Sequence, residues 1–175
     1  VVARIKNTRT PFSIDFGVGD VIVPKQEKRK IPTQLDDFAS PTVNTYSLET
    51  TIAEKLDAIL DLMEFSSRMK DYYDIYYLAN KFDFDGATLT KALKKTFENR
   101  GHAFTIEQFE QVMAFAENDA MQKKWKAFIR KIDTKTDDYN TVLRTIKAFL
   151  TKPFYAVVKN SGHDEQWSAQ NNLWQ

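Results

Sequence analysis

The chain has 175 residues, with 25 lysines and arginines against 24 aspartates and glutamates, and this formal charge of +1 dictates no polyanionic partner. It contains no cysteine, which excludes disulfides and thiolate metal sites and suits a reducing cytoplasm. No apolar run reaches the ~18 residues that a membrane helix needs, and no signal peptide is recognised, so we expect a cytoplasmic protein without membrane contact.

The first 24 residues predict short strands. Val1–Lys6 places its apolar residues on one side, and Phe12–Pro24 contains two runs of strand period separated by Gly17 and Gly19. Asp15 lies between two large apolar residues and therefore projects from the opposite face of its strand. It is either a solvent-side residue or a carboxylate that holds a metal ion against a ligand phosphate.

A turn, a basic linker and one more strand are predicted before the first helix. Asp20 is expected as a turn residue that bonds its own backbone. Lys25–Lys30 is rich in lysine and forms either a solvated linker or a contact to a phosphate backbone. Val43–Tyr46 is predicted as the last short strand.

The first helix is predicted from Ser47, a suitable N-cap with Glu49 in the first turn. Its apolar residues recur at helical spacing and form one stripe: Ile52, Leu56, Ile59, Leu60 and Met63. At about 100° per residue, Asp57 and Asp61 are expected to point away from this stripe, and Glu54 is expected to face solvent.

Lys55 is the charged residue of this helix that the stripe does not explain. It lies on the margin, one turn from Ile52 and one from Ile59, where a lysine is half buried. Either its ammonium group is paired with an anion, or its stem covers the core while the amine reaches water.

The second predicted helix, Met69–Lys81, is apolar or aromatic nearly all round, which is typical of a helix packed on most sides. Lys70 and Asp74 share one face, with Asp71 beside them. Burying Asp74 requires a cation, which Lys55 or Arg68 could supply. Such a contact is either a structural ion pair between two helices or part of a catalytic site.

The remainder is predicted to be helical. Capping residues and a glycine mark its boundaries: Asp85, Gly101, Thr105 and Gln108. Asp119 is expected to cap a helix whose basic face, beside Trp125, is either a solvated surface or a contact for RNA phosphates. The last helix starts near Tyr139, and Thr151 is expected to cap a restart with Pro153 in its first turn.

The chain becomes polar from Asn160 onward. Trp167 and Trp174 either strap this tail to the body or leave it disordered. No P-loop, Rossmann glycine pattern or His-Glu-x-x-His motif is present. His102 and His163 stand apart in the sequence, which disfavours a zinc site or a histidine base.

Three segments together resemble motifs of the AbiEii/AbiGii toxin family of nucleotidyltransferase-like proteins: Ile14–Asp20, Thr51–Leu56 and Arg68–Asp74. The resemblance implies that Asp15 is the third carboxylate of a nucleotidyltransferase site and a metal ligand. It further implies that Lys55 contacts phosphates and that Asp74 is the aspartate of the last motif. Neighbouring charges of that motif are the candidates for substrate binding: Arg68, Lys70 and Asp71.

The family's first motif, a Gly-Ser pair followed by Asp-x-Asp, would precede these segments, and this sequence does not contain it. We therefore expect the chain to be the C-terminal part of a longer protein and to be inactive alone. Mg²⁺ would bind only together with the upstream carboxylates. The resemblance implies a nucleoside triphosphate, an RNA (notably tRNA) or protein acceptor, and a cognate antitoxin.

The expected fold class is α+β, with residues 1–47 as a strand-rich part of a nucleotidyltransferase core, 48–159 as a helical domain and 160–175 as a polar tail. The alternative to an enzyme is a non-catalytic helical module that binds RNA or a partner protein. In that case the charges of the motifs are structural ion pairs.

Overall fold

The structure, a computed structural model, describes residues 1–14, 19–132 and 135–175. Helices form most of this described chain: α1 (Leu48–Leu62), α2 (Met69–Lys81), α3 (Gly86–Arg100), α4 (Ile106–Met113), α5 (Asp119–Ile132) and α6 (Tyr139–Val158). Short 3₁₀ turns extend α1 and α4. None of the helices in the described ranges is long and apolar enough to cross a membrane.

Small antiparallel sheets accompany the helices, which confirms the α+β class. Their strands are β1 (Val2–Ile5), β2 (Thr8–Pro11), β3 (Glu27–Lys30), β4 (Thr42–Thr45), β5 (Phe84–Asp85), β6 (Gln166–Ser168) and β7 (Leu173–Trp174). β1 pairs with β2, β3 pairs with β4, and β6 lies between β5 and β7. The predicted strands at the start of the chain and before α1 are thus confirmed.

Other predictions for the N-terminal part are wrong. Val21–Val23 forms no strand, because α1 rather than another strand binds this backbone. The N–H of Val23 donates to Oγ1 of Thr50 at 2.8 Å, and its carbonyl accepts from Oγ of Ser47 at 2.8 Å. Phe12–Ile14, the described part of the strand predicted around Asp15, is not a strand either. Four of the six residues of the predicted linker, Glu27–Lys30, form strand β3, because β4 pairs with them.

Capping side chains set most of the helix boundaries. The predicted caps of α1, α3 and α4 are confirmed, and each accepts a backbone N–H three residues on: Ser47, Asp85 and Thr105. The cap predicted for α5 is wrong by one residue, since Oδ1 of Asn118 accepts the N–H of Met121. Pro153 starts no new helix but lies inside α6.

One hydrophobic core lies between the helices. α6 packs against α2, α3 and α4, while α1 packs against α2, α3 and α4 from another side. The predicted stripe of α1 is buried except for Met63. The largest set of buried residues belongs to α6: Tyr139, Val142, Leu143, Ile146, Phe149, Leu150, Pro153, Phe154 and Ala156. Among the described side chains before Ser47 none is buried, so the first two sheets lie outside this core.

The C-terminal tail is ordered and packs on the helices, as the strap interpretation predicted. Nε1 of Trp167 donates to the carbonyl of Ala79 in α2 at 2.7 Å, and Nε1 of Trp174 donates to that of Phe149 in α6 at 2.9 Å. Both indoles are buried. Gly86 allows the tail to approach closely, because a Cβ there would lie 2.6 Å from the carbonyl oxygen of Glu165.

Candidate functional site

A cleft of about 540 Å³ opens along the outer face of α1, between the start of α2 and the end of α3. Its lining is strongly charged and includes Lys55, Arg68, Arg100, Glu54, Asp57, Asp61 and His102. The cleft forms because α1 packs its apolar stripe inward and turns its polar residues outward between the two neighbouring helices. Charged groups from all three helices therefore face one shared space.

Lys55 is the centre of the α2 side of the cleft. Its ammonium nitrogen lies 3.0 Å from Oδ1 of Asp71 and 2.6 Å from Oδ2 of Asp74, and only 18% of its side chain is exposed. Asp71 also accepts from Nε of Arg68 at 2.6 Å. Lys70 contacts Asp74 from the solvent side. Of the alternatives for Lys55, the structure therefore shows the one in which the ammonium group is paired with anions.

These pairs differ in how deeply they are buried. Asp71 is 4% exposed and Asp74 is 20% exposed, whereas Arg68 and Lys70 are mostly in solvent. A carboxylate as buried as that of Asp71 is stable only while its oxygens are paired. The sequence indicated Asp71 only as a candidate for substrate binding and did not indicate that it is the most buried residue of this cluster. Asp71 fixes Lys55 and Arg68, and Asp74 is the carboxylate that remains accessible.

The α3 side of the cleft contains an ion-pair network that the sequence analysis missed. Nη2 of Arg100 lies 2.5 Å from Oε2 of Glu54 and 3.2 Å from Oδ1 of Asp20. The hydroxyl of Tyr46 donates to Asp20, and this bond raises the pKa of the phenol. The prediction that Glu54 faces solvent is wrong, because its side chain is only 18% exposed. Asp20 was predicted as a turn residue, but its carboxylate contacts Arg100 and Tyr46, which lie far from it in the sequence.

Asp57 and His102 form the third charged contact of the cleft. Nδ1 of His102 lies 2.8 Å from Oδ1 of Asp57, whose side chain is 8% exposed. Burial raises the pKa of the Asp57 carboxyl, and the hydrogen bond with His102 opposes that effect. Asp57 was predicted to point away from the apolar stripe, and it lines the cleft, yet it is buried because α3 packs against that side of α1.

The segment that precedes α1 forms one end of the cleft. The carbonyl of Gly19 accepts from Nδ2 of Asn99 at 3.1 Å, and Asp20 contacts Arg100, so the end of α3 binds this segment. Asp15, the predicted catalytic carboxylate and metal ligand, lies outside the described residues. Its role stays a prediction, as do the catalytic roles of Lys55 and Asp74.

The described residues do not form a magnesium site by themselves. Within the described ranges no group of three histidine or acidic side chains could hold a metal ion. The carboxylates nearest to Lys55 are already paired: Asp71 with Lys55 and Arg68, and Asp74 with Lys55 and Lys70.

The basic surface of α5 lies outside this cleft. Lys124 bonds the carbonyls of Glu64 and Ser66 at 2.8 and 2.9 Å and thereby ties α5 to the segment between α1 and α2. Other basic residues of α5 are exposed: Lys123, Lys126, Arg130 and Lys131. The surface thus contains both a structural lysine and lysines that are accessible to a polyanion.

Comparison with known protein families identifies the chain. The family model described as nucleotidyl transferase AbiEii toxin, type IV toxin–antitoxin system, matches residues 1–154. The chain therefore belongs to the AbiEii family of nucleotidyltransferase toxins. Among curated proteins and among solved structures no match was found.

Proposed function

We propose that the cleft on α1 is part of the site at which this AbiEii protein transfers a nucleotide from a nucleoside triphosphate to a hydroxyl of an RNA, such as tRNA, or of a protein. The observation that carries the proposal is the contact of Lys55 with Asp74 at 2.6 Å. These two residues come from separate motifs of the family resemblance. Lys55 lines the cleft together with Arg68 and Arg100.

Lys55 has the geometry to bind a phosphate oxygen. An ammonium group has three N–H donors, and two of them are directed to Asp71 and Asp74. The third remains for a ligand, and the two carboxylates fix the position of the nitrogen. Arg68 and Arg100 add guanidinium groups, which pair well with phosphate oxygens. Since such transfer needs little covalent chemistry from the protein, positioning and charge stabilisation supply most of the catalysis.

Mg²⁺ is proposed as the cofactor, bound by carboxylates that are not among those described. Within this sequence Asp15 is the candidate ligand, and the family's first motif would supply the others. The cleft lining contains three cations and three carboxylates, so its charges balance: Lys55, Arg68 and Arg100 against Glu54, Asp57 and Asp61. Such a lining favours a triphosphate whose negative charge is neutralised by a bound metal ion. A cognate antitoxin is the proposed biological partner.

Label transfer tests this function. The protein expressed from its complete gene is incubated with Mg²⁺, the four α-³²P-labelled nucleoside triphosphates and total tRNA, and label in tRNA and in protein is measured. We expect transfer by the intact protein and none by residues 1–175 alone. Transfer by this chain alone would contradict the proposal that carboxylates beyond it are required. No transfer by the intact protein to either acceptor would contradict the function itself.

The alternative is a binding module in which the same charges only join helices. Asp74→Asn separates the two possibilities better than Lys55→Ala, because Lys55→Ala also leaves the buried Asp71 without one partner. If the site is catalytic, Asp74→Asn abolishes label transfer with little change in unfolding free energy. Activity that falls only in proportion to the folded fraction would favour the module.

A further inference from the structure

We propose that His102, held by Asp57, accepts the proton of the acceptor hydroxyl during nucleotidyl transfer. The inference rests on the proposed function and assigns a chemical role to two residues outside the three motifs. His102 follows the end of α3, and Asp57 lies in the middle of α1. Both line the same cleft as Lys55.

The imidazole is oriented by its contact with Asp57. An ionised carboxylate can only accept a hydrogen bond, so the 2.8 Å contact requires the proton of neutral His102 to be on Nδ1. Nε2 then carries the lone pair. This nitrogen lies 3.8 Å from Oδ1 of Asp61, which is 55% exposed at the rim of the cleft. Nε2 is therefore directed to the rim of the cleft.

A structural ion pair does not explain this arrangement well. Asp57 lies on one line of α1 with Ala53 and Leu60, both of which are buried, and an apolar residue there would avoid the desolvation cost of a carboxylate. A buried carboxylate that orients an imidazole is instead typical of a histidine base. The ring of His102 also packs against that of Phe104, with centroids 5.2 Å apart, which limits its rotation.

The proposed step balances in atoms and electrons. A lone pair of the acceptor oxygen forms the bond to the α-phosphorus, and the bond from that phosphorus to the bridging oxygen breaks, so the electron pair leaves with pyrophosphate. The proton of the acceptor hydroxyl moves to Nε2 of His102. The resulting imidazolium lies between the carboxylates of Asp57 and Asp61. Because the His102 side chain is 31% exposed, solvent can then remove the proton.

Charged groups of α1 and α3 surround His102. Asp57 and Asp61 face it from α1, and Arg100 lies near Asp57 at the end of α3. On the opposite side, Lys94 and Glu98 of α3 border a second cavity that His102 also lines. The rate should fall at low pH, where Nε2 already holds a proton.

The test uses the intact protein with α-³²P-labelled nucleoside triphosphates, Mg²⁺ and total tRNA, and measures kcat, triphosphate Kd and thermal stability for each variant. We expect His102→Gln and Asp57→Asn to lower kcat by roughly 100-fold or more, with Kd unchanged. The low-pH decline of the wild type should be missing in His102→Gln. Added imidazole should restore part of the activity of His102→Ala. Asp36→Asn, in an exposed loop that does not line the cleft, is the matched control and should retain wild-type kcat.

The outcomes separate this inference from the function on which it rests. If the wild type transfers label and His102→Gln keeps both its rate and its pH profile, the dyad is structural and the inference is wrong. The same holds if activity falls only as the folded fraction falls and imidazole restores none of it. If the wild type transfers no label to tRNA or to protein, the proposed function fails, and the role of His102 fails with it.

Discussion

Replacing Asp71 with asparagine tests whether the Lys55 cluster depends on one buried carboxylate. The side chain is 4% exposed, and its two oxygens accept from Lys55 at 3.0 Å and from Arg68 at 2.6 Å. An asparagine offers one oxygen, so its amide nitrogen must face one of the two cations. Breaking a buried pair costs about 3 to 5 kcal/mol, and we expect about 3 because Arg68 is 58% exposed and can turn to water.

Urea unfolding measures this cost directly, and a thermal scan should show a fall in Tm of roughly 6 to 12 °C for a chain of this size. Asp74→Asn is the comparison, because Asp74 is 20% exposed and its second partner, Lys70, is 70% exposed. It should cost less than about 1 kcal/mol. Asp36→Asn, in an exposed loop, is the neutral control. Equal costs at positions 71 and 74 would refute the reasoning that burial separates the two carboxylates.

Three further predictions concern the framework around the site, and each is measured by urea unfolding. Asp85→Ala removes the cap of α3 and should cost about 1 kcal/mol at pH 7; hydrogen bonds to the carboxylate lower the pKa of Asp85, so this difference should vanish as the pH falls below that pKa. Gly86→Ala should cost about 1 to 3 kcal/mol, because its Cβ would meet the carbonyl of Glu165 at 2.6 Å. Trp167→Phe should cost about 1 to 3 kcal/mol, because the carbonyl of Ala79 loses its buried donor.

Contacts that depend on residues close in the chain could be predicted from the sequence. The stripe of α1, the capping box of α4 and the pairing of Lys70 with Asp74 all rest on spacings of three or four residues. The contact of Lys55 with Asp74 spans two helices, yet it could be anticipated because both charges lie where packing would favour apolar residues. In each case the physical reason for the contact can be recognised from the residues next to it in the sequence.

The α3 side of the cleft could not be predicted in the same way. Glu54 and Arg100 are 46 residues apart, and Asp57 and His102 are 45 apart. A helical wheel of α1 places these acids away from the main stripe, but it does not show that α3 covers that side. One signal was available: Asp57 stands four residues after Ala53 and three before Leu60, so apolar residues flank it on one line.

The N-terminal part shows a different limit. The apolar run Val21–Val23 indicates burial, and Val23 does pack against the core of the helices. The sequence could not indicate which groups would bind the backbone of this run. Side-chain hydroxyls of Ser47 and Thr50 take the place of a neighbouring strand, and a pattern of apolar residues does not distinguish the two.

The tail and the candidate site are connected through α2. Near its start, Asp71 is held by Lys55 and Arg68, and near its end the carbonyl of Ala79 accepts from Trp167. These anchors are eight residues apart, or about 12 Å along a helix. Asp74 lies between them, so its distance from Lys55 depends on both. Because a helix held at both ends cannot tilt freely, the buried tryptophan of the tail also helps to fix Asp74 against Lys55.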